Sequence, residues 1–211
     1  ETKKATKEKI LERQNKPEIK IKHKETDQTH LMIGLRAFSI YDEKISALRL
    51  LSAILGGGMS SRLFQKMREE LGICYYVKSI TDELTDHGVL AIAAGVDSSR
   101  VDQGINGILE EMIKIRDEKV PAGELRKAKD YLIGNMYLGL ESSDAMANFY
   151  GFQEILKEKI KTPKDIEKEI EKITNTDIQE VAKEVITNNK LNLAIVGCYE
   201  DPQPFENILK V

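Results

Sequence analysis

Three histidines, two cysteines and one glycine-led block are the places in this 211-residue sequence where chemistry could reside. None of His23, His30 and His87 lies three or four residues from another, the spacing that would put two of them side by side on one helix face. Neither His-Glu-x-x-His nor the inverted His-x-x-Glu-His is present. His30 opens an apolar run and His87 follows Asp86 in a polar turn, so both read as structural residues satisfied by hydrogen bonds. Cys74 and Cys198 lie in separate apolar segments and form no Cys-x-x-Cys pair. They are expected to be buried free thiols, which points to a reducing, cytoplasmic compartment. A Gly-x-Ser-x-Gly elbow, a Walker loop and a Gly-x-Gly-x-x-Gly turn are all missing. The chain alone therefore has no evident catalytic engine. Its informative stretch is Leu55 to Val77, LGGGMSSRLFQKMREELGICYYV. Taken by itself the glycine triplet has two readings, a helix terminator or, over Gly56–Ser61, an anion nest ahead of a helix N-terminus.

Composition narrows the classes. There are 32 basic and 35 acidic side chains, a net charge of −3, and 41% hydrophobic residues. A domain of this size buries roughly 70% of its unfolded surface and needs neither disulfide nor metal to fold. Near-neutral charge argues against a general nucleic-acid binder. The longest apolar stretches, such as Gly88 to Val96, are too short to span a bilayer, so no membrane partner is expected. The first residue is Glu1 rather than Met, as in a processed product or a piece of a longer protein. Residues 1–26 carry a local net charge of +4 with no interleaved aromatic, and read as a solvated segment at a domain edge. Residues 1–17 are expected to be a linker or leading helix, and residues 18–211 one α+β domain.

The positions of these residues depend on the surrounding elements. Glu18 to Lys24 (EIKIKHK) alternates as an edge strand, and His30 to Ser39 reads as a more buried one. Asp42 begins a helical pattern whose apolar stripe ends at Gly56-Gly57-Gly58, where a glycine would supply a left-handed helix end. Ser60 or Ser61 caps a helix that stops at Gly72. Strands follow at Cys74 to Ile80 and Gly88 to Val96. The spacing then gives helices over Val101 to Lys119, Ala122 to Leu140 behind Pro121, Ser142 to Glu158, Pro163 to Ile173 and Thr176 to Ile186. Leu191 to Gly197 closes the pattern as a buried strand. Strands, a run of helices and a final strand predict an α+β layer, a mostly antiparallel sheet covered by helices.

The block from Leu55 to Val77 closely resembles the second half of pitrilysin- or insulinase-type zinc metallopeptidases, the group of insulin-degrading enzyme and the mitochondrial processing peptidases. Ser-Arg-Leu-Phe follows the glycines at once, then Arg68-Glu69-Glu70-Leu71-Gly72 and Tyr75-Tyr76-Val77. The flanking strands and helices agree in order over about residues 20–200. The resemblance implies one of two related α+β halves around a chamber. One half carries His-x-x-Glu-His and the zinc; the other supplies an arginine and a tyrosine that reach the substrate. Arg68 and Tyr75 match that pair in type and seven-residue spacing. Zinc-assisted attack of water on a peptide carbonyl creates an oxyanion, which preorganised donors from Arg and Tyr would stabilise.

The zinc half is missing here: the corresponding helix reads Ser46-Ala47-Leu48-Arg49-Leu50-Leu51, without histidine. The resemblance therefore implies a non-metal half that is inactive alone. It would bind no cofactor itself, its zinc belonging to a His-x-x-Glu-His half in the same chain or a separate subunit. Peptides are the implied substrates, and Gly56, Gly57 and Gly58 would give close backbone approach at the chamber wall. Peptide clearance, presequence removal and precursor maturation all fit. A homodimer of the isolated chain is also admissible. The competing reading is a catalytically silent core subunit, as in respiratory complexes; retention of both Arg68 and Tyr75 speaks against it.

Overall fold

Alternating apolar residues lay down the sheet, because side chains on a strand point to opposite faces in turn. A computed structural model describes residues 10–156 and 159–211. Its strands are β1 (Glu18–His23), β2 (Gln28–Ala37), β3 (Cys74–Glu83), β4 (Gly88–Asp97) and β5 (Leu191–Gly197). They form one sheet in the order β1-β5-β2-β4-β3. Only β1 and β5 run parallel; the other pairs are antiparallel. The architecture is thus the α+β layer that the strand and helix order predicts.

The helices are α1 (Ile45–Gly56), α2 (Arg62–Phe64), α3 (Val101–Asp117), α4 (Ala122–Gly139), α5 (Ser143–Leu156), α6 (Pro163–Lys172), α7 (Asn175–Val185) and α8 (Gln203–Ile208). They cover one face. Leu31, Ile33 and Leu35 of β2 and Leu90, Ile92 and Val96 of β4 pack there in one core with Leu51 and Leu55 of α1, Ile105 and Met112 of α3, and Ile178 of α7. Each such side chain contributes roughly 1.5–3 kcal/mol by leaving water. On the other face His30, Met32, Tyr76, Lys78 and Ile80 remain exposed. The helix-facing residues of β2 and β4 are thus buried while the opposite side of the sheet stays open.

Several local expectations shift. Residues 10–17 are not helical, and the rest of the expected leading helix lies outside the described residues. So do Lys157 and Glu158, the expected end of α5. Helix α1 starts at Ile45 rather than Asp42, whose Oδ1 accepts the Lys44 N–H. It does not end in a left-handed glycine, since Gly57 has φ −82°. Helix α7 is opened by a capping box of Thr174 with Asp177 and so starts one residue before the expected Thr176. Cys74 is buried as expected, but Cys198, one residue past β5, is exposed. Helix α8, with fully buried Phe205, lies beyond the elements read from the pattern.

Candidate functional site

The block from Ser61 to Val77 is built as a helix, a reversal and a bulged edge strand. Ser61 is extended and precedes Arg62–Phe64, which runs straight into a π-helical turn over Gln65–Glu70. Such wide turns often occur at functional sites. Met67 anchors this turn in the core. Gly72 then takes φ +60°, the left-handed conformation that side chains resist, and the Ile73 N–H closes onto the Met67 carbonyl at 3.1 Å.

This reversal brings Arg68 back onto the start of β3. Its Nη1 donates to the Cys74 carbonyl at 2.7 Å, so the guanidinium is fixed one residue before Tyr75. The charge of Arg68 pulls the Cys74 thiol down, but burial outweighs it and the thiol titrates above its ordinary range.

Register on β3 slips between Cys74 and Tyr76: Cys74 stands opposite Val96 and Tyr76 opposite Gly95, leaving Tyr75 as the extra residue of a bulge. A bulge re-aims side chains. Here it turns Cys74 into the core while Tyr76 lies on the open face. Tyr75 is 61% exposed, and its hydroxyl has no hydrogen-bond partner among the described residues.

Tyr76 is held differently. Its hydroxyl meets His30 Nδ1 at 3.1 Å, the two rings stack with centroids 6.0 Å apart, and its ring lies over Gly95. A Cβ at Gly95 would come within 2.6 Å of that ring. The sequence reading treated His30 only as a structural residue and missed this pairing. The available signal was Gly95 inside an apolar strand, a mark of close approach.

The glycine triplet divides. Gly56 is buried where α1 crosses β3, and a Cβ there would stand 2.3 Å from the Ser79 nitrogen. Gly57 caps α1. Gly58 is exposed, beside the Tyr131 ring. Helix packing thus accounts for Gly56 by itself.

Among the described residues no group of three or more His, Cys, Asp or Glu could hold a metal ion. His30 Nδ1 meets the Tyr76 hydroxyl and His87 Nδ1 the Asp86 carboxylate, and neither histidine belongs to a group of three candidate ligands. A groove of about 1300 Å³ lies elsewhere, between the start of α1 and helices α5, α6 and α7. Tyr41, Arg49, Ile155, Ile166 and Glu180 are among its lining residues, and neither Arg68 nor Tyr75 is.

The family model described as the peptidase M16 inactive domain matches residues 1–132. An uncharacterized zinc protease of Streptomyces coelicolor is 31% identical over 180 residues, 85% of this chain and 39% of that protein. The uncharacterized zinc protease YmxG of Bacillus subtilis is 32% identical over 166 residues, 79% of this chain and 41% of that protein. The chain therefore spans well under half the length of these relatives. Among solved structures, a protease from Helicobacter pylori superimposes with a TM-score of 0.83 at 19% identity, covering 93% of this chain and 48% of that one. A peptidase M16 inactive domain from Pseudomonas fluorescens gives 0.81 at 19% identity, covering 92% and 47%. The helix-covered sheet, the block around Gly72 and these matches lead to one conclusion: the chain belongs to the peptidase M16 inactive-domain family.

Proposed function

We propose that this chain is the substrate-binding, transition-state-stabilising half of a zinc-dependent endopeptidase. One observation carries the reading. The Gly72 reversal places the Arg68 guanidinium against the Cys74 carbonyl, and the adjacent bulge leaves the Tyr75 hydroxyl unpaired in solvent. A scaffold has no need of a fixed guanidinium beside a free phenol. Hydrolysis of a peptide bond does, because attack on the carbonyl carbon moves charge onto its oxygen. Donors already in place stabilise that charge without reorganisation.

In this reading Arg68 spends one N–H on Cys74, which holds the planar group still, and keeps its remaining donors for the carbonyl oxygen. Tyr75 adds its hydroxyl. Of the triplet, half-buried Gly57 and exposed Gly58 would offer backbone to a peptide, while Gly56 is buried. The zinc ligands belong to a His-x-x-Glu-His half, in the same chain or a separate subunit, as the names of the zinc-protease relatives support. Processing-peptidase-like use and a cytoplasmic setting are part of the same proposal.

The test uses the natural full-length protein, or this chain assembled with its zinc-bearing half. Arg68→Ala and Tyr75→Phe are each expected to lower turnover of an unfolded peptide by about 10²–10³ with the fold intact. Normal turnover in both variants would remove the assigned roles and leave a silent structural subunit as the reading.

A further inference from the structure

The open face of the sheet has a charge pattern that goes beyond the catalytic pair. Register fixes which side chains share each row across it. One row reads Lys22, Val196, His30, Gly95, Tyr76; the next reads Lys20, Ala194, Met32, Ala93, Lys78. Small residues and Met32 form a low apolar floor between lysines on both edges. Lys20, Lys22 and Lys78 are exposed and have no ion-pair partner among the described residues.

Glu18 stands one row beyond Lys20 on the same strand, beside Asn192, and Asp82 two rows beyond Lys78, beside Val89; neither forms an ion pair with these lysines among the described residues. Asp97, paired with Gln28 beyond the His30 row, accepts hydrogen bonds from both the N–H and the hydroxyl of Ser99 at 2.8 Å. Arg36 is committed to Glu12 at 3.7 Å and to the Asn189 carbonyl. The two rows nearest Tyr76 therefore carry three lysines and no carboxylate, with Glu18 and Asp97 in the rows on either side.

From this charge pattern we propose that the open face receives peptides bearing acidic side chains on either side of an apolar stretch. The inference rests on the substrate-binding reading only for why a peptide comes there. Strands about 4.8 Å apart put Lys20 and Lys78, four strands from one another, about 19 Å apart. An extended peptide crosses that span in about six residues. The matching ligand is an apolar run of about that length with Glu or Asp near each end. A peptide with lysines in those places would meet like charge.

The natural full-length protein is titrated, with its zinc chelated, against three fluorescein-labelled heptapeptides that share one apolar core and end in Glu, Gln or Lys. Anisotropy is expected to show the Glu peptide binding about tenfold tighter than the Lys peptide, the scale of two exposed ion pairs. The preference should vanish in about 0.5 M salt, disappear in the Lys20→Gln/Lys78→Gln variant and invert in Lys20→Glu/Lys78→Glu. Circular dichroism checks that the variants fold. Equal affinity for the Glu and Lys peptides, or tighter binding of the Lys peptide, would overturn the proposal. Hydrolysis is read separately with zinc restored. Charge preference without hydrolysis would sink the peptidase reading alone, and hydrolysis without charge preference would sink this one alone.

Discussion

At the residue scale, neighbouring glycines in one block perform different physical tasks. Gly72 needs its positive φ and has open space where a Cβ would go, so Gly72→Ala is expected to cost about 1–2 kcal/mol of backbone strain. Gly56 has ordinary helical geometry but no room: its Cβ would meet the Ser79 nitrogen and the Lys78 carbonyl carbon within 3 Å. Forcing α1 away from β3 should cost about 2–4 kcal/mol, more than the Gly72 change. Urea unfolding of the two alanine variants checks the order, and equal losses would contradict it. The seven-residue spacing of Arg68 and Tyr75 was legible in the sequence. The bulge that separates Tyr75 from Tyr76 was not, because register depends on β4, which lies beyond the block.

At the element scale, the starts of α3 to α7 were readable to within a residue, whereas Ser61 precedes its helix without a side-chain cap. Thr162 with Asp165 and Thr174 with Asp177 each exchange side-chain and backbone hydrogen bonds. Thr174→Ala is expected to cost about 1 kcal/mol of unfolding free energy. For α6 the effect depends on pH. Hydrogen bonds from the Thr162 hydroxyl and N–H hold the Asp165 carboxyl below the ordinary aspartate range. A pKa lower in the folded than in the unfolded chain gives a stabilisation complete above the unfolded value of about 3.9. It is lost as pH falls through the lower folded value. The deficit of Thr162→Ala against the natural chain should therefore shrink between pH 5 and pH 2, measured by thermal unfolding at each pH; a deficit that stays constant would count against this cap. The π-helical turn at Gln65–Glu70 had no local signal, since it is produced by fitting Met67 into the core while the chain turns back at Gly72.

At the scale of the whole molecule, the helices cover one face of the sheet and leave the other open. Among the described residues no helix is long and apolar enough to cross a membrane. The proposed division between a zinc-bearing half and this one yields a direct measurement. A zinc chelator should abolish peptide hydrolysis by the assembled protein and leave the melting temperature of this chain alone unchanged. A lower melting temperature would mean that this chain holds a metal of its own.

The sequence by itself determined the α+β class, the order of nearly all elements, the family resemblance and the candidate pair Arg68 and Tyr75. These follow from signals within a few residues of one another: period-two and period-3.6 patterns, caps, and a contiguous motif. Only the tertiary structure decided the parallel pairing of β1 with β5, the bulge at Tyr75, the clasp of His30 on Tyr76 and the alignment of Lys20 with Lys78 across the open face. Each of these depends on the register between strands separated by tens of residues. That register is set by packing the whole sheet against its helices, so no local stretch of sequence encodes it.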